Sequence, residues 1–310
     1  MASKPPVDLE FTPKKVLSWE NGFLVIGVDG ELQKLSSDYS LIDTFVKPFP
    51  MSIRNAAIIG GKLIATWLDS ELLLARMAAI DLNEKLVQGI ERSELRVRRT
   101  IDKALHPADS TWSHVLDAEP LALDSNNKSF TFVLWKKGIY HMTHDAHEIW
   151  RQKEPQWRQL SKLPRAQETV KAIVKEDVVE IWSRGMGLNR YDIESGDLLS
   201  SDVINGEGFI LDVYNDGNKY LLQLNDNEVV MLEGNNIILR ARLSGPVSDA
   251  YWSEKEQGWY ISGWREIVLL TVNNFEKITL DEIPVFYDDA RKLALFNDAK
   301  WRQVSFGEEE

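Results

Sequence analysis

The chain has 310 residues, with 36 Lys and Arg against 48 Asp and Glu, a formal net charge of −12. Its 44% hydrophobic content excludes wholesale disorder, and the lack of any cysteine excludes disulfides, thiolate nucleophiles and Cys-ligated metal centres. A thiol-free chain suits a reducing compartment, so a cytoplasmic address is expected. Residues 1–8 have no apolar signal-peptide core, and no apolar run approaches a bilayer span, so neither export nor membrane insertion is expected. The negative balance opposes nucleic acid as a partner and favours basic proteins or cations.

In chain order, Val7–Phe11 alternates apolar and polar residues as an isolated strand would. A hairpin pattern then recurs seven times: a strand rich in β-formers, a polar turn, and an apolar restart. Phe23–Val28 turns through Asp29, Gly30 and Glu31 into Leu32, and Lys62–Leu68 through Asp69, Ser70 and Glu71 into Leu72. Phe130–Trp135 turns through Lys136 and Lys137 into Ile139, and Val178–Trp182 through Arg184–Gly187 into Leu188. Tyr220–Leu224 turns through Asn225–Glu228, including Asp226, into Val229. Trp259–Ser262 turns through Trp264, Arg265 and Glu266 into Ile267, and Leu293–Phe296 turns through Asn297–Lys300 into Trp301. The restarts lie 40, 67, 49, 41, 38 and 34 residues apart.

A period near 40 residues with room for four short strands specifies sheets that cannot stand alone, and radial stacking buries both faces of each. The predicted fold is an all-β, seven-bladed β-propeller of four-stranded blades forming a single domain over 1–310. The last repeat is one strand short, and Val7–Phe11 is expected to close it. The acidic tail 307–310 follows. Leu188–Leu199, with its Asp192, Ser195 and Gly196, resembles the Asp-x-x-(Ser/Thr)-Gly turn of quinoprotein-like propellers. On these residues the chain resembles the WD-repeat and quinoprotein-like seven-bladed propeller superfamily. No blade carries the Gly-His and Trp-Asp dipeptides of typical WD repeats, and such folds host many unrelated functions.

Blade two carries an insert over about 83–113. Leu86, Ile90, Val97, Ile101 and Leu105 fit an amphipathic helix. The favoured alternative makes Leu95–Thr100 the outer strand, similar to Ile238–Leu243 of blade five. A loop over 101–113 would then lead to the next inner strand, on the same face as the seven turns.

His141, His144, His147 and Glu148 are the one dense group of metal-ligand types, but strand residues three apart point to opposite faces, so no metal site is expected. His114 stands alone, with no nucleophile placed beside it. Gly185 and Gly187 read as a turn rather than a dinucleotide loop. Trp67, Trp135, Trp182 and Trp259 read as equivalent residues packed between blades.

The turn charges divide by blade. Asp29, Glu31, Asp69, Glu71, Asp226 and Glu228 make acidic sectors on blades one, two and five. Lys136, Lys137 and Arg184 make a basic one on blades three and four, and Arg265 lies on mixed blade six. With Trp112 and His114 in the insert's loop as an aromatic anchor, this face is the expected surface for a protein partner, a basic one for the acidic sectors. The expected function is a non-enzymatic interaction platform without a cofactor. The alternative is a propeller enzyme, hydrolase- or lactonase-like or metal-dependent, with its site at the channel mouth.

Overall fold

A computed structural model describes residues 6–71, 74–97 and 106–307. Leu72, Ile101, Leu105 and the acidic tail beyond Gly307 lie outside the described residues, as do the side chains of Arg96 and Val97.

The described strands form seven antiparallel sheets, each built from consecutive strands. Blade one holds β1 (Pro13–Trp19), β2 (Gly22–Gly27) and β3 (Leu32–Ser36); blade two holds β4 (Ile53–Ile59), β5 (Lys62–Asp69), β6 (Leu74–Asp81) and, after helix α1 (Arg92–Val97), β7 (Ser110–Leu116). Blade three is β8 (Pro120–Ser125), β9 (Ser129–Leu134), β10 (Gly138–Thr143) and β11 (Glu148–Gln152). Blade four is β12 (Thr169–Val174), β13 (Val178–Ser183), β14 (Gly187–Asp192) and β15 (Leu198–Val203). Blade five is β16 (Ile210–Asp216), β17 (Lys219–Leu224), β18 (Glu228–Glu233) and β19 (Asn236–Arg242). Blade six is β20 (Asp249–Ser253), β21 (Gly258–Gly263), β22 (Glu266–Thr271) and β23 (Phe275–Thr279), and blade seven is β24 (Pro284–Asp288), β25 (Leu293–Phe296) and β26 (Trp301–Gln303). This is the all-β, seven-bladed propeller that the repeat specifies. By chain contacts it divides into two compact units, one of residues 17–37 and 41–205, the other of 1–16, 38–40 and 206–310.

Position within a blade follows from burial. The second strands β9 and β21 are buried at every residue, because neighbours cover both faces, whereas the fourth strand β19 alternates exposed and half-buried residues. In blades two, three, four, five and seven the first strand carries a bulge where it begins pairing with the second, at 53/55, 120/122, 169/171, 210/212 and 284/286. A bulge bends the strand and re-aims the residue left unpaired.

Blades one and seven have three regular strands. In blade one, residues 41–46 take the fourth place through bridges Leu32 to Val46 and Leu35 to Leu41. In blade seven the N-terminal segment is held by Leu9 N donating to Ala299 O at 2.9 Å and Trp301 N to Asp8 Oδ1 at 3.3 Å, with Leu9 and Phe11 buried. The expected closure by Val7–Phe11 is therefore present, although only as a short hydrogen-bonded segment. Tyr39 reinforces this end: its hydroxyl donates to Asp288 at 2.7 Å, and its ring packs 4.7 Å from that of Trp301 and 5.0 Å from the Arg291 guanidinium. Burial and the Asp288 carboxylate raise the Tyr39 pKa, so the phenol stays a donor.

The insert departs from the favoured expectation. Residues 92–97 are helix, and β7 is the outer strand, so the whole insert lies between the third and fourth strands of blade two. Residues 110–113 belong to that outer strand, and residues 117–119 make the link to the next inner strand. The physical reason is a gap. Blade one's irregular fourth segment leaves apolar surface uncovered, and Leu82, Leu86 and Leu95 enter one cluster with Leu24, Ile26, Phe49, Trp67 and Ile80. Buried Lys34 fastens the insert, donating to Leu82 O at 3.0 Å and Glu84 O at 2.8 Å while pairing with Asp43 at 3.2 Å.

The four tryptophans are not equivalent either. Trp67 pairs opposite Ile53, before the first-strand bulge, Trp182 opposite Lys171, after it, and Trp259 sits at the far end of its strand opposite Trp252. All three are fully buried. At ~25 cal/mol per Å2 over ~200 Å2, each contributes roughly 5 kcal/mol of transfer free energy. Trp135 falls one residue beyond β9 and is 48% exposed.

Candidate functional site

Most of the turn charges are occupied within the chain. Buried Glu31 takes Lys47 at 3.1 Å and the Asp29 backbone N–H at 3.0 Å. Asp69 is buried and meets Arg92 of α1 at 2.5 Å, and Glu71 meets the same guanidinium at 3.0 Å. Glu228 pairs with Arg240 at 3.1 Å, Lys137 with Asp117 at 2.7 Å and Arg184 with Glu168 at 3.1 Å. Asp29, Asp226 and Arg265 are exposed, as is Lys136, whose ammonium lies 4.4 Å above the Trp135 ring. A polar turn was expected to face solvent because turns do. The insert's Arg92 and blade one's Lys47 overrule that for Asp69 and Glu31.

Trp112 and His114 do come together, with rings 5.4 Å apart, but on the outer strand β7 rather than on a loop of the turn face. Trp112 stacks on Phe130 of blade three at 5.9 Å and donates from Nε1 to His144 O at 3.0 Å. It is a packing residue between neighbouring blades, because the face of β7 that carries Trp112 and Leu116 lies against blade three.

The histidines of blade three lie apart because β10 ends at Thr143, which leaves His144 and His147 in the turn rather than on the strand. His141 is buried in β10, with Nδ1 2.7 Å from Thr131 Oγ1 and its ring 4.9 Å from that of Trp150; burial lowers its pKa to about 4, so it is neutral. His144 and His147 are exposed in the turn, and His144 Nε2 lies 3.0 Å from Asp145. Among the described residues no three His, Asp or Glu side chains are arranged to hold a metal ion. The Asp192 turn has the form its sequence suggests: Oδ1 accepts the backbone N–H groups of Glu194 and Ser195 at 3.0 and 2.8 Å, which hold this carboxyl below its usual range.

The feature that sequence reasoning passed over is the crossover from blade three to blade four. It runs over sixteen residues, 153–168, where the links at 117–119, 204–209, 243–248 and 280–283 have three to six. Its signal was present in the restart interval of 49 residues. The loop is fastened down. Trp157 and Leu160 are buried, Trp157 N donates to Gln167 Oε1 at 2.9 Å, and Arg184 N and Gly185 N donate to Glu168 O and Ala166 O, both at 2.8 Å. Two glycines let it approach: a Cβ on Gly187 would lie 2.5 Å from the Trp157 ring, and one on Gly185 would lie 2.6 Å from Ala166 Cβ. The Gly185–Gly187 turn is thus a seat for the crossover, the packing form of the turn reading.

Between this crossover and the blade-three turn lies a cleft of about 370 Å3. Trp135, Leu163, Pro164 and Leu121, the bulge residue of β8, supply apolar surface to it, with Leu163 53% exposed. Glu168 on its wall is held below the usual carboxylate range, chiefly by its hydrogen bonds from Arg165, then by Arg184. That carboxylate is committed to binding the loop together. The cleft combines an exposed aromatic ring, aliphatic surface and fixed charges on a hydrogen-bonded frame.

No protein-family model and no curated protein matches the sequence. Solved structures do match the fold. The Swd1 β-propeller domain of Myceliophteria thermophila aligns with TM-score 0.68 at 11% identity, covering 97% of this chain and 99% of that one. The chain shares the β-propeller fold of that domain. The WD40 β-propeller domain of Doa1 aligns with TM-score 0.64 at 10% identity over 96% of this chain and 94% of that one. BamB from Moraxella catarrhalis aligns with TM-score 0.53 at 10% identity over 96% and 85%. At such identities the likeness is one of fold alone.

Proposed function

We propose that this propeller is a non-enzymatic protein-interaction platform, acting in the cytoplasm, whose docking surface is the turn end of blades three and four. The observation that carries this reading is the cleft: Trp135 and Leu163 are both about half exposed on a crossover and turn that the core holds rigid. Large apolar side chains left in water beside a preorganised loop stabilise nothing in the isolated chain, and they supply the anchors that dominate binding free energy. The basic-partner reading now rests on Asp29 and Asp226, the acidic turn residues that are exposed without an ion pair among the described residues. The thiol-free composition supports the cytoplasmic address.

Photo-crosslinking tests this reading. A benzophenone amino acid at position 135 is expected to trap discrete partners in host cells, and one at exposed Val115 of β7 to trap none of them. Crosslinks confined to position 115 would overturn the assignment of the docking surface.

A further inference from the structure

Resting on the platform reading, we propose that the cleft between Trp135 and the 153–168 crossover takes an acidic peptide segment with an apolar anchor residue. Charge carries the argument. The link at 117–119, the turns at 135–138 and 184–187 and the crossover at 153–168 together hold seven Lys and Arg against four Asp and Glu, in a chain of net charge −12. Internal pairs account for most of the carboxylates: Asp117 with Lys137, Glu168 with Arg165 and Arg184, and Glu119 with Arg54 at 3.8 Å. What remains exposed is Lys136, Lys153 and Lys162, each next in sequence to a residue of the cleft lining, and Arg158, against Glu154 of the lining itself, with no ion pair to any of the five among the described residues.

These cations differ from ordinary surface lysines in their mounting. Lys153, Arg158 and Lys162 are carried on a loop pinned by buried Trp157 and Leu160, and the backbone under them is already ordered before anything binds. Binding therefore loses little further loop entropy. Lys136 is held over the Trp135 ring, which places a positive charge directly beside the apolar surface. A partner that fills the Trp135, Leu163 and Leu121 surface with an aliphatic or aromatic residue brings its flanking carboxylates to these cations.

Other occupants fit less well. A basic segment would face a local surplus of like charge. A purely apolar one would leave the rim cations without partners. A single-stranded nucleic acid needs successive stacking rings, and the cleft offers one.

The test is fluorescence anisotropy of the full chain with three labelled probes. One is a short peptide with a central Leu-Phe pair between runs of Glu, the second the same peptide with Lys for Glu, and the third an oligo-uridine. The acidic probe is expected to bind at least ~10-fold tighter than the basic one at low ionic strength, with the difference shrinking as salt is added. Trp135→Ala is expected to weaken it ~5-fold or more. Charge reversal at Lys153, Arg158 and Lys162 together is expected to weaken it more than ~10-fold and to flatten its salt dependence, with an unchanged melting temperature. Equal binding of the Lys peptide, tighter binding of the oligonucleotide, or indifference to the triple reversal would each overturn the proposal. If no probe binds while crosslinking from position 135 persists, the acidic assignment fails and the platform stands. If the acidic probe binds but position 135 traps nothing in cells, the platform reading fails instead.

Discussion

The insert of blade two and the crossover between blades three and four are both surplus chain, and they are used in opposite ways. Residues 82–95 send Leu82, Leu86 and Leu95 into the core between blades one and two, with Arg92 pairing to Asp69 and Glu71 and the carbonyls of Leu82 and Glu84 accepting from Lys34, while Glu84, Lys85 and Glu91 face solvent. The crossover also buries apolar residues, Trp157 and Leu160, but leaves Lys153, Arg158 and Lys162 in water beside an exposed tryptophan. Excess length in a repeat therefore does not by itself mark a binding loop. What distinguishes the two is that the insert's exposed charges are mixed in sign with its large leucines buried, whereas the crossover's are mostly cations beside exposed Trp135 and Leu163.

The contrast implies a steep stability response in the insert and a flat one on the crossover's rim. Lys34→Met should cost the most, about 3 kcal/mol, because Asp43 and two carbonyls lose a buried cationic partner; an unchanged denaturation midpoint in urea would show that the insert is not fastened there. Leu95→Ala should cost about 2 to 3 kcal/mol, near the lower end for a buried leucine, since a short surface helix can settle into part of the space. Thermal melting checks it, and a loss below that range would make the insert peripheral.

Blade three adds a pH-dependent effect of similar size. His141 has its pKa lowered to about 4 by burial, so the unfolded chain binds the proton more readily than the folded one. The contribution of neutral His141 is fully present above the unfolded value near 6.5 and is lost as pH falls from there toward 4, about 2 kcal/mol by pH 5. Urea unfolding near pH 7.5 and pH 5 should show this loss in the wild type and not in His141→Gln, which keeps a partner for Thr131 and takes up no proton. The smallest effect belongs to the crossover's rim. Arg158→Glu and Lys162→Glu should each change stability by no more than about 0.5 kcal/mol, and a larger loss on melting would mean that these cations serve the fold.

The sequence by itself determined the repeat. Seven polar turns between apolar strands, at a spacing near 40 residues, leave few ways to bury both faces of a short sheet, so the all-β propeller, its seven blades and the role of Val7–Phe11 were legible from local pattern. The turn formed at Asp192 was legible for the same reason, because an Asx turn is made by residues two and three positions apart. Contacts distant in sequence were not legible. Arg92 reaching Asp69, Lys34 holding residue 84, Trp112 lying on β7 against Phe130 and Trp135 falling one step past its strand all depend on register and on what a neighbouring blade leaves uncovered. A charged turn reads alike in sequence whether its partner is water or an arginine twenty residues on. Only the tertiary structure decided which of those charges are spent within the chain and which face outward at blades three and four, because burial and pairing are set by packing.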